Sequence, residues 1–377
     1  GEWETKLIND LAVVIGGGTP DTTIKSYWDG EIQWFTPSEI GKNKYVDSSL
    51  RTITEEGLNN SSAKLLPPNT ILLSSRATIG ECSLSLRECA TNQGFQSLVS
   101  KKCYVDFLYY LIQTKKRDLI RKSCGSTFLE ISANEVRKIQ VSVPTDVEQQ
   151  KIAGLLSLID ERIATQNKII EKLQSLIKGL SQQLLSSEND WILYRLDDLA
   201  QIKSGYSGTQ VSYQTPYKVS RIETISKHCI DIQRIGYVEC IPESYRLNVG
   251  NILFSNINSI QYIGNTAYLD KDYGLYHGMN LLRIIPNTTI VRPRFLHLLL
   301  CTDWAINHFQ TICNKAVSQA SINQTALGKS RFPIPPMSVQ QQICSMFELT
   351  ERKLDNEQEY ISCLQQQKRY LLQKMFI

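Results

Sequence analysis

Two long segments of the chain share one pattern of hydrophobic and polar residues. The segment Glu148–Ile163 reads EQQKIAGLLSLIDERI, and the segment Val339–Leu354 reads VQQQICSMFELTERKL. In both, apolar residues recur at alternating spacings of three and four, which is the seam pattern of a coiled-coil helix. Ile152 corresponds to Ile343 at a shift of 343 − 152 = 191 residues. The pattern predicts two related long helices.

The predicted seams differ in quality. The first is interrupted at Gln166, and the second has Glu357 and Lys368 at seam positions. Because a narrow seam with charged flanks needs a partner helix, we expect the two helices to form an antiparallel coiled coil. The alternative is that each helix packs on its own α/β domain. The apolar seam residues are Ile152, Leu156, Ile159, Ile163, Ile170, Leu173, Ile177, Leu180, Leu184, Ile343, Phe347, Leu354, Ile361, Leu364, Leu371 and Met375.

The rest of the chain alternates short β-rich runs with turns and helices. Runs such as IQWFTP, TILLSS and IQVSVP are bounded by Gly, Pro and Asn, and VDFLYYLIQTKKRDLIRK has helical periodicity. The tripeptide Asp-Leu-Ala begins at both Asp10 and Asp198, which extends the duplication over nearly the whole chain. We predict a mixed α/β (α+β) fold with a pseudo-twofold internal repeat: a first domain at 1–145, a helix at 146–187, a second domain at 188–336 and a helix at 337–377.

Composition narrows the class of protein only moderately. A net charge of +4 and a pI near 8.4 make the chain mildly basic, which is compatible with nucleic acid binding. The ten cysteines form no CxxC pair, so we expect reduced thiols. With no apolar run of membrane-spanning length and no signal peptide pattern, we expect a soluble, cytoplasmic protein with no membrane partner. Because the chain starts with Gly rather than Met, we expect native N-terminal residues to be missing.

Motifs for catalysis are absent from the sequence. LGKS, at Leu327–Ser330, resembles the end of a phosphate-binding loop, but Asn323 stands where that loop requires Gly. The four histidines have no zinc-ligand spacing, and no methyltransferase motif or acidic nuclease cluster occurs. We therefore predict recognition rather than catalysis, with no catalytic or metal-binding residue. A stand-alone enzyme acting on nucleic acid stays open as a rival.

Polar and aromatic residues gather in loops at corresponding places of the two halves. SSRA at Ser74 corresponds to SNIN at Ser255, for example. Such side chains hydrogen-bond to base edges, while Lys, Arg and Tyr also contact phosphates. The alternatives are ordinary solvated turns and, for Arg76, a surface salt bridge. The candidate DNA-contacting residues are Thr19, Lys25, Tyr27, Thr36, Ser38, Ser74, Ser75, Arg76, Thr78, Asn92, Gln93, Lys203, Tyr206, Arg221, Asn256, Asn258, His277 and Asn280.

Several of these stretches together resemble a known family. GGGTPDTTIKSYWDGEIQWFTPSEI, LLSSRATIG, ATNQGF, EQQKIAGLLSLIDERI, LIKGLSQQLL and the closing YLLQKMFI resemble the DNA-specificity subunit of type I restriction-modification systems. The resemblance implies that each α/β half is a target recognition domain for one part of a split, asymmetric DNA sequence. It also implies that the helices set the gap between the parts, and that the chain itself is not an enzyme.

The resemblance also implies partners. They are double-stranded DNA, two modification subunits that methylate adenine and, in the restriction complex, two translocase-nuclease subunits. S-adenosylmethionine, ATP and Mg are expected only on those subunits, so this chain needs no cofactor. The second half has YQTPYKVSRIE near the place of YWDGEIQWFTP, which suggests that the halves belong to different recognition subtypes. A coiled-coil adaptor that joins proteins without a DNA role is the alternative function.

Overall fold

The chain folds into two compact units, and each unit includes parts of both long helices. The computed structural model describes residues 3–125, 129–186, 190–226, 228–315 and 319–376. The first unit comprises Gly1–Lys168 with Gln358–Ile377, and the second comprises Ile169–Glu357. Within the described ranges, no helix combines the length and the apolar character needed to cross a membrane.

The first half is built on a five-stranded sheet and a three-stranded sheet. In spatial order the larger sheet contains Ala12–Gly16, Gln96–Ser100, Ile71–Leu73, Cys82–Ser85 and Tyr45–Val46. The smaller contains Arg51–Ile53, Trp28–Phe35 and Cys89–Thr91, and Glu4–Leu7 pairs with Gln140–Val143. The helices are Ile8–Leu11, Glu55–Asn59, Val105–Thr114, Lys116–Arg121 and Ala133–Arg137, with 3-10 turns at Lys25–Tyr27 and Pro37–Glu39.

The second half repeats the larger sheet with four strands. In order these are Ala200–Ser204, Leu282–Pro286, Ile252–Phe254 and Thr266–Tyr268. The other sheets contain Gln210–Val211, Gly236–Val238, Tyr217–Val219 and Leu275–Tyr276; Ile225–Ser226 and Cys229–Ile230; Ile257–Asn258, Ala320–Ser321 and Asn314–Lys315; and Ile192–Arg195 with Arg331–Ile334. The helices are Leu196–Leu199, Pro293–Leu300, Asp303–Ile312 and Gln324–Gly328, with 3-10 turns at Ile222–Thr224 and Glu243–Tyr245.

Each half is closed by pairing its first strand with its last. Glu4 lies opposite Val143 in one antiparallel pair, and Ile192 lies opposite Ile334 in the other. The helices Val105–Thr114 and Pro293–Leu300 pack their apolar faces into the cores of the two halves, as Phe107 and Phe295 show with no exposed surface. The mixed α/β fold and the internal repeat are thereby confirmed.

Each long helix is anchored near its start by a glutamine at the equivalent position of the repeat. The central helix runs over Asp146–Leu184 and the last helix over Met337–Met375. Gln149 donates to the carbonyl of Pro144 at 3.0 Å and accepts from the amide of Tyr104 at 3.0 Å. Gln340 likewise donates to the carbonyl of Pro335 at 2.9 Å, and it accepts from the amide of Arg292 at 2.8 Å. The repeated phrase in the sequence therefore encodes a buried polar clamp as well as an apolar seam.

In the first unit, both helices contribute to one hydrophobic core. Ile152 and Leu156, near the start of the central helix, are buried in it, and Leu371 and Met375, near the end of the last helix, pack against it. An ion pair of 2.6 Å joins Lys368 to Asp160. At its seam position Lys368 therefore has a carboxylate partner. Its charged side chain replaces an apolar contact of the seam.

The second unit has the converse arrangement. Ile343 and Phe347, near the start of the last helix, are buried in its core, and Leu180 and Leu184, near the end of the central helix, pack against it. Gln166, which interrupts the apolar seam in the first unit, is only 5 % exposed. The seam positions of both helices are buried or half-buried, whereas most of the positions between them are exposed.

Candidate nucleic-acid interface

Four loops of the first half leave from one end of its sheets. Gly16 ends a strand opposite Gln96, and Ser74 forms a bridge with Phe95 immediately after the strand Ile71–Leu73. The loops 17–20, 74–78 and 92–95 therefore begin side by side. The amide of Asn92 donates to the carbonyl of Phe35 at 3.1 Å, which adds the loop 36–39. We refer to these four loops as the first loop cluster.

The predicted residues in this cluster hold one another in place. Thr19 donates its hydroxyl to Oε1 of Gln93 at 2.5 Å, and the side chain of Gln93 is exposed. The hydroxyls of Thr36 and Ser38 lie 3.0 Å apart. Asn92 is half-buried and uses its own Oδ1 to accept from the amide of Gly94 at 2.8 Å. The fold therefore brings Thr19, Thr36, Ser38, Asn92 and Gln93 together.

Arg76 is at the edge of the first loop cluster and is paired with a carboxylate. Its side chain is 39 % exposed, and its Nε atom lies 3.5 Å from Oε2 of Glu130. Thr78 is exposed beside it, and Ala77 between them has a positive φ of 57°. The salt-bridge alternative for Arg76 therefore describes its present contact. An ion pair of this exposure contributes little stability, so Arg76 could exchange Glu130 for another anion.

Ser74 and Ser75 do not fit the expectation that they contact DNA directly. Both have no exposed surface. Ser74 donates to the carbonyl of Arg76 at 2.8 Å and accepts from the hydroxyl of Thr78 at 3.1 Å, so it supports the loop from inside. The polar tetrapeptide SSRA follows a strand, and nothing in its sequence indicates that its first two residues are buried.

Lys25 and Tyr27 lie outside the first loop cluster. They occupy a 3-10 turn beside the smaller sheet, where the carbonyl of Tyr27 accepts from the amide of Thr54 at 3.0 Å. Tyr27 packs against the small core around Trp28 and Trp34, while Lys25 is exposed. Their contribution to DNA binding stays a prediction, and their position favours a role beside the main cluster.

The second half presents a loop cluster at the equivalent end of its sheet. Ser204, Leu282 and Phe254 lie opposite one another on three adjacent strands, so the loops next to these residues start together. Lys203 is exposed one residue earlier. The amide of Tyr206 donates to the carbonyl of His277 at 2.9 Å. The segments 205–208, 220–221, 255–258 and 277–281, of which 257–258 is a short strand, form what we call the second loop cluster.

A close backbone approach fixes this cluster. A Cβ atom on Gly205 would lie 1.8 Å from the carbonyl oxygen of Gly278, so only glycine fits. The amide of Gly278 in turn donates to Ser220 at 3.0 Å, which brings the exposed Arg221 to the same end. The Nε atom of Arg221 lies 3.5 Å from Glu223, an exposed contact like that of Arg76.

His277 is a structural residue and not an accessible contact. Its ring is 1 % exposed, and Nε2 lies 2.9 Å from the carbonyl oxygen of Leu281. Burial lowers the pKa of the His277 ring to about 4, so it is neutral near pH 7. Three residues further on, Asn280 is exposed with a positive φ of 62°, a conformation that asparagine tolerates better than most residues.

Asn256 and Asn258 are half-buried at the edge of the second loop cluster. Asn256 donates its amide to the carbonyl of Ile322 at 3.3 Å, and Asn258 donates to the hydroxyl of Ser255 at 3.1 Å. The tetrapeptides that begin at Ser74 and Ser255 thus occur at equivalent places, as the sequence comparison predicted.

Bridged backbone segments beside each cluster were not among the predicted site residues. In the first half, Cys124 and Glu130 bridge each other, and Glu130 also bridges Arg76. In the second half, Ala320–Ser321 pairs both with Ile257–Asn258 and with Asn314–Lys315, which carries an exposed lysine. The duplication was the available signal, because the sequence segments before Pro144 and Pro335 align. Residues 126–128 and 317–318, which begin those aligned segments, lie outside the described residues, as does residue 316.

The two clusters offer hydrogen-bonding groups and positive charge. Over the described ranges, no group of three or more His, Cys, Asp or Glu side chains is arranged to hold a metal ion. Exposed basic side chains stand at both clusters or at their edges, namely Arg76, Lys203, Arg221 and Lys315. This combination suits polar recognition of an anionic polymer.

Comparison with known proteins gives a consistent answer. A family model described as the type I restriction modification DNA specificity domain matches residues 1–175 and 188–366. The MjaIX specificity subunit of a type I restriction enzyme from Methanocaldococcus jannaschii is 30% identical over 327 residues, which cover 73% of this chain and 75% of the relative. The EcoR124I/EcoR124II specificity subunit from Escherichia coli is 29% identical over 203 residues, or 52% of this chain and 48% of that one.

Two solved structures share the fold. A type I restriction-modification S subunit from M. genitalium has a TM-score of 0.61 at 16% identity and covers 100% of this chain and 96% of its own. A chain from a study of type I system assembly and conformational transition has a TM-score of 0.65 at 14% identity, with 99% and 97% covered.

Proposed function

The chain belongs to the type I restriction-modification DNA-specificity family, and from this premise we propose that each α/β half reads one part of a split double-stranded DNA target. One observation carries the proposal. Two loop clusters stand at equivalent ends of duplicated sheets, yet they present different side chains. Equivalent frames with different side chains are what a split, asymmetric target requires, because base edges are distinguished by the donors and acceptors placed against them.

Specific residues support this assignment within each cluster. Arg76, Thr78 and Gln93 are accessible in the first, and Lys203, Arg221 and Asn280 are accessible in the second. Arg can bond guanine through both of its terminal nitrogens, and Asn and Gln can do the same with adenine. Ser74, Ser75 and His277 act beneath the surface instead. The two long helices then hold the two α/β halves and set the distance between them.

We propose that the two long helices pair antiparallel along their length and set the gap between the two parts of the target. Support comes from within each unit, where the start of one helix and the end of the other share a core. In the first unit Asp160 also accepts from the hydroxyl of Tyr110 at 2.7 Å while it pairs with Lys368. Such contacts fix where one helix ends against the other.

A second apolar stripe on the helices supports docking of two equivalent partner subunits. Leu155 and Leu158 are exposed, one residue before the seam positions of the central helix. The last helix repeats them as Met346 and Leu349, at shifts of 346 − 155 = 191 and 349 − 158 = 191, and both are exposed. Exposed apolar residues that recur by duplication are suited to two copies of one partner.

We assign these two stripes to two modification subunits that carry the methylation chemistry. S-adenosylmethionine belongs with those subunits, and ATP and Mg belong with two translocase-nuclease subunits in the restriction complex. The chain itself is a non-catalytic recognition subunit, as members of this family are. The family match favours this function over a coiled-coil adaptor without a DNA role.

Selection from a DNA library tests the proposal. The chain is purified together with its modification subunits and incubated with duplexes that contain a randomised segment of about thirty base pairs. Retained duplexes should converge on two short, unequal sequences separated by a gap of fixed length and arbitrary content. Retention without enrichment of any sequence would support the adaptor, and methyl transfer by the purified chain alone would establish the rival enzyme.

A further inference from the structure

Ser75 and Asn256 occupy the same backbone position in the two halves. Each is the second residue after the strand that leads into its loop cluster. The carbonyl of Ser75 accepts from the amide of Ile131 at 3.1 Å, and the carbonyl of Asn256 accepts from the amide of Ile322 at 2.9 Å. The backbone is therefore duplicated at this position, while the side chain differs.

Both positions share an unusual defect. Among the residues that the structure describes, Oγ of Ser75 and Oδ1 of Asn256 are buried and have no hydrogen-bond partner. Ser75 as a whole has no exposed surface. Buried polar atoms are nearly always bonded in folded proteins, because an unmet bond costs the full desolvation of the atom. The same defect at one equivalent position of two divergent halves points to a shared use.

The loop next to Ser75 carries a residue with an unfavourable backbone conformation and an exposed ion pair. Ala77 has a φ of 57°, in the left-handed region that a residue with a Cβ atom rarely adopts. Arg76 is held by Glu130 through an exposed contact of 3.5 Å. The backbone bridge between Arg76 and Glu130 can stay in place while the guanidinium group exchanges the carboxylate for a phosphate or a base, and the strain at Ala77 favours a local shift of residues 76–78.

We propose that Ser75 and Asn256 are positioning residues whose buried oxygen atoms gain their missing hydrogen bond only when the loop clusters bind DNA. When the guanidinium group of Arg76 exchanges Glu130 for the DNA, residues 76–78 change conformation. The hydroxyl of Ser75 then forms a hydrogen bond to this rearranged loop. Asn256 does the same for Ser255 and for the short strand Ile257–Asn258 that follows it. This inference rests on the proposed function, and it assigns these residues to the selectivity of each half rather than to its stability.

A single substitution tests the inference in the first half. Ser75→Ala removes only the unbonded hydroxyl, so the midpoint of thermal unfolding should stay the same or rise. The assembly with the modification subunits should bind its selected duplex about tenfold more weakly, since one net hydrogen bond in the complex is lost. The loss should appear only with duplexes that carry an intact first part of the target.

Ser97→Ala provides the matched control. Oγ of Ser97 is also buried and without a hydrogen-bond partner among the described atoms, but it lies within the strand Gln96–Ser100 and not in a loop. Its deletion should leave both the unfolding midpoint and the affinity near those of the unchanged chain.

The outcomes separate the inference from the function on which it rests. A fall in the unfolding midpoint of S75A, or equal affinity of S75A and the unchanged chain for the selected duplex, would overturn the inference alone. An equal loss of affinity in S97A would overturn it as well, because position in the loop would then not matter. If the unchanged assembly binds all duplexes alike, the proposed function and the inference both fail.

Discussion

We propose two successive partners for Arg76. Its side chain contacts Glu130, and its exposure makes that contact weak. Its loop nevertheless brings the guanidinium group to the end of the sheet where the other polar loops meet. A base or phosphate at that place would face the Arg76 guanidinium, and breaking its ion pair with Glu130 would cost little free energy.

Replacement of Arg76 by Ala should change recognition and leave stability nearly intact. The free energy of unfolding should change by less than about 0.5 kcal/mol, because the side chain is accessible. Discrimination at one base pair of the first part should fall by about 1–3 kcal/mol if Arg76 reads a guanine. Competition binding with single-base-pair variants of the target measures this. The control is Arg87→Ala, which removes another exposed arginine paired with Asp47.

A uniform loss of affinity for all duplexes in the Arg76 variant would assign Arg76 to a phosphate. Equal effects of the Arg76 and Arg87 substitutions would contradict any special role for Arg76. Both results can be read from the same set of titrations.

His277 gives the second half a stability that depends on pH. Its folded-state pKa is about 4, against 6.5 for an unperturbed ring. Between these values the unfolded chain binds the proton and the folded chain does not, so stability should fall as the pH drops below about 6.5. The expected slope is about 1.4 kcal/mol per pH unit from this ring.

Comparison with His277→Gln isolates this effect from the carboxylates. The difference in unfolding free energy between the two chains should be constant above pH 7 and should shift against the unchanged chain as the pH falls towards 5. Denaturant unfolding at several pH values provides the measurement. A difference that does not vary with pH would mean that the ring takes up its proton as readily in the folded chain as in the unfolded one.

At the scale of secondary structure, the repeated glutamines explain how each long helix stays attached to its α/β half. Gln149 bonds to the carbonyl of Pro144 and to the amide of Tyr104, and Gln340 makes the equivalent pair of contacts. These bonds satisfy backbone groups that would otherwise be unpaired at the junction. The seam alone would not fix the angle at which a helix leaves its half.

Loss of this clamp should be costly. Gln149→Ala leaves the half-buried amide of Tyr104 and the buried carbonyl of Pro144 without their partner, so the free energy of unfolding should fall by about 2–4 kcal/mol. Gln150→Ala removes the same side chain from the exposed neighbouring position and should cost less than about 0.5 kcal/mol. Urea denaturation compares them. Similar losses in both variants would contradict the clamp, and helix propensity could not account for them because Ala forms helix at least as well as Gln.

Helical periodicity was the feature that sequence could predict best. The spacing of Ile152, Leu156 and Ile159 gave the buried face of the central helix, because that pattern repeats over several turns. Loop burial could not be predicted in the same way. Ser75 and His277 are polar residues in polar stretches, and only the tertiary contacts around them show that they are inside. The loop 36–39 joins its cluster through strands distant in sequence, which no local pattern reveals.

At the scale of the whole molecule, duplication serves two purposes in our proposal. The duplicated sheets provide two clusters that can diverge in what they read. The duplicated helices provide cores shared by both helices in each unit. If the helices pair as we propose, the length of the pair fixes the gap between the two parts of the DNA target.

A matched lengthening of both helices tests this central claim most directly. A copy of residues 164–170 is inserted after Ile170, and a copy of residues 355–361 is inserted after Ile361, so that the seam phase is kept in each helix. Each insertion adds about 10 Å of helix, or roughly three base-pair steps. Methylation is then mapped in cells that carry the lengthened chain with its modification subunits. We predict the same two sequence parts with a wider gap; the same two parts with an unchanged gap would contradict the account.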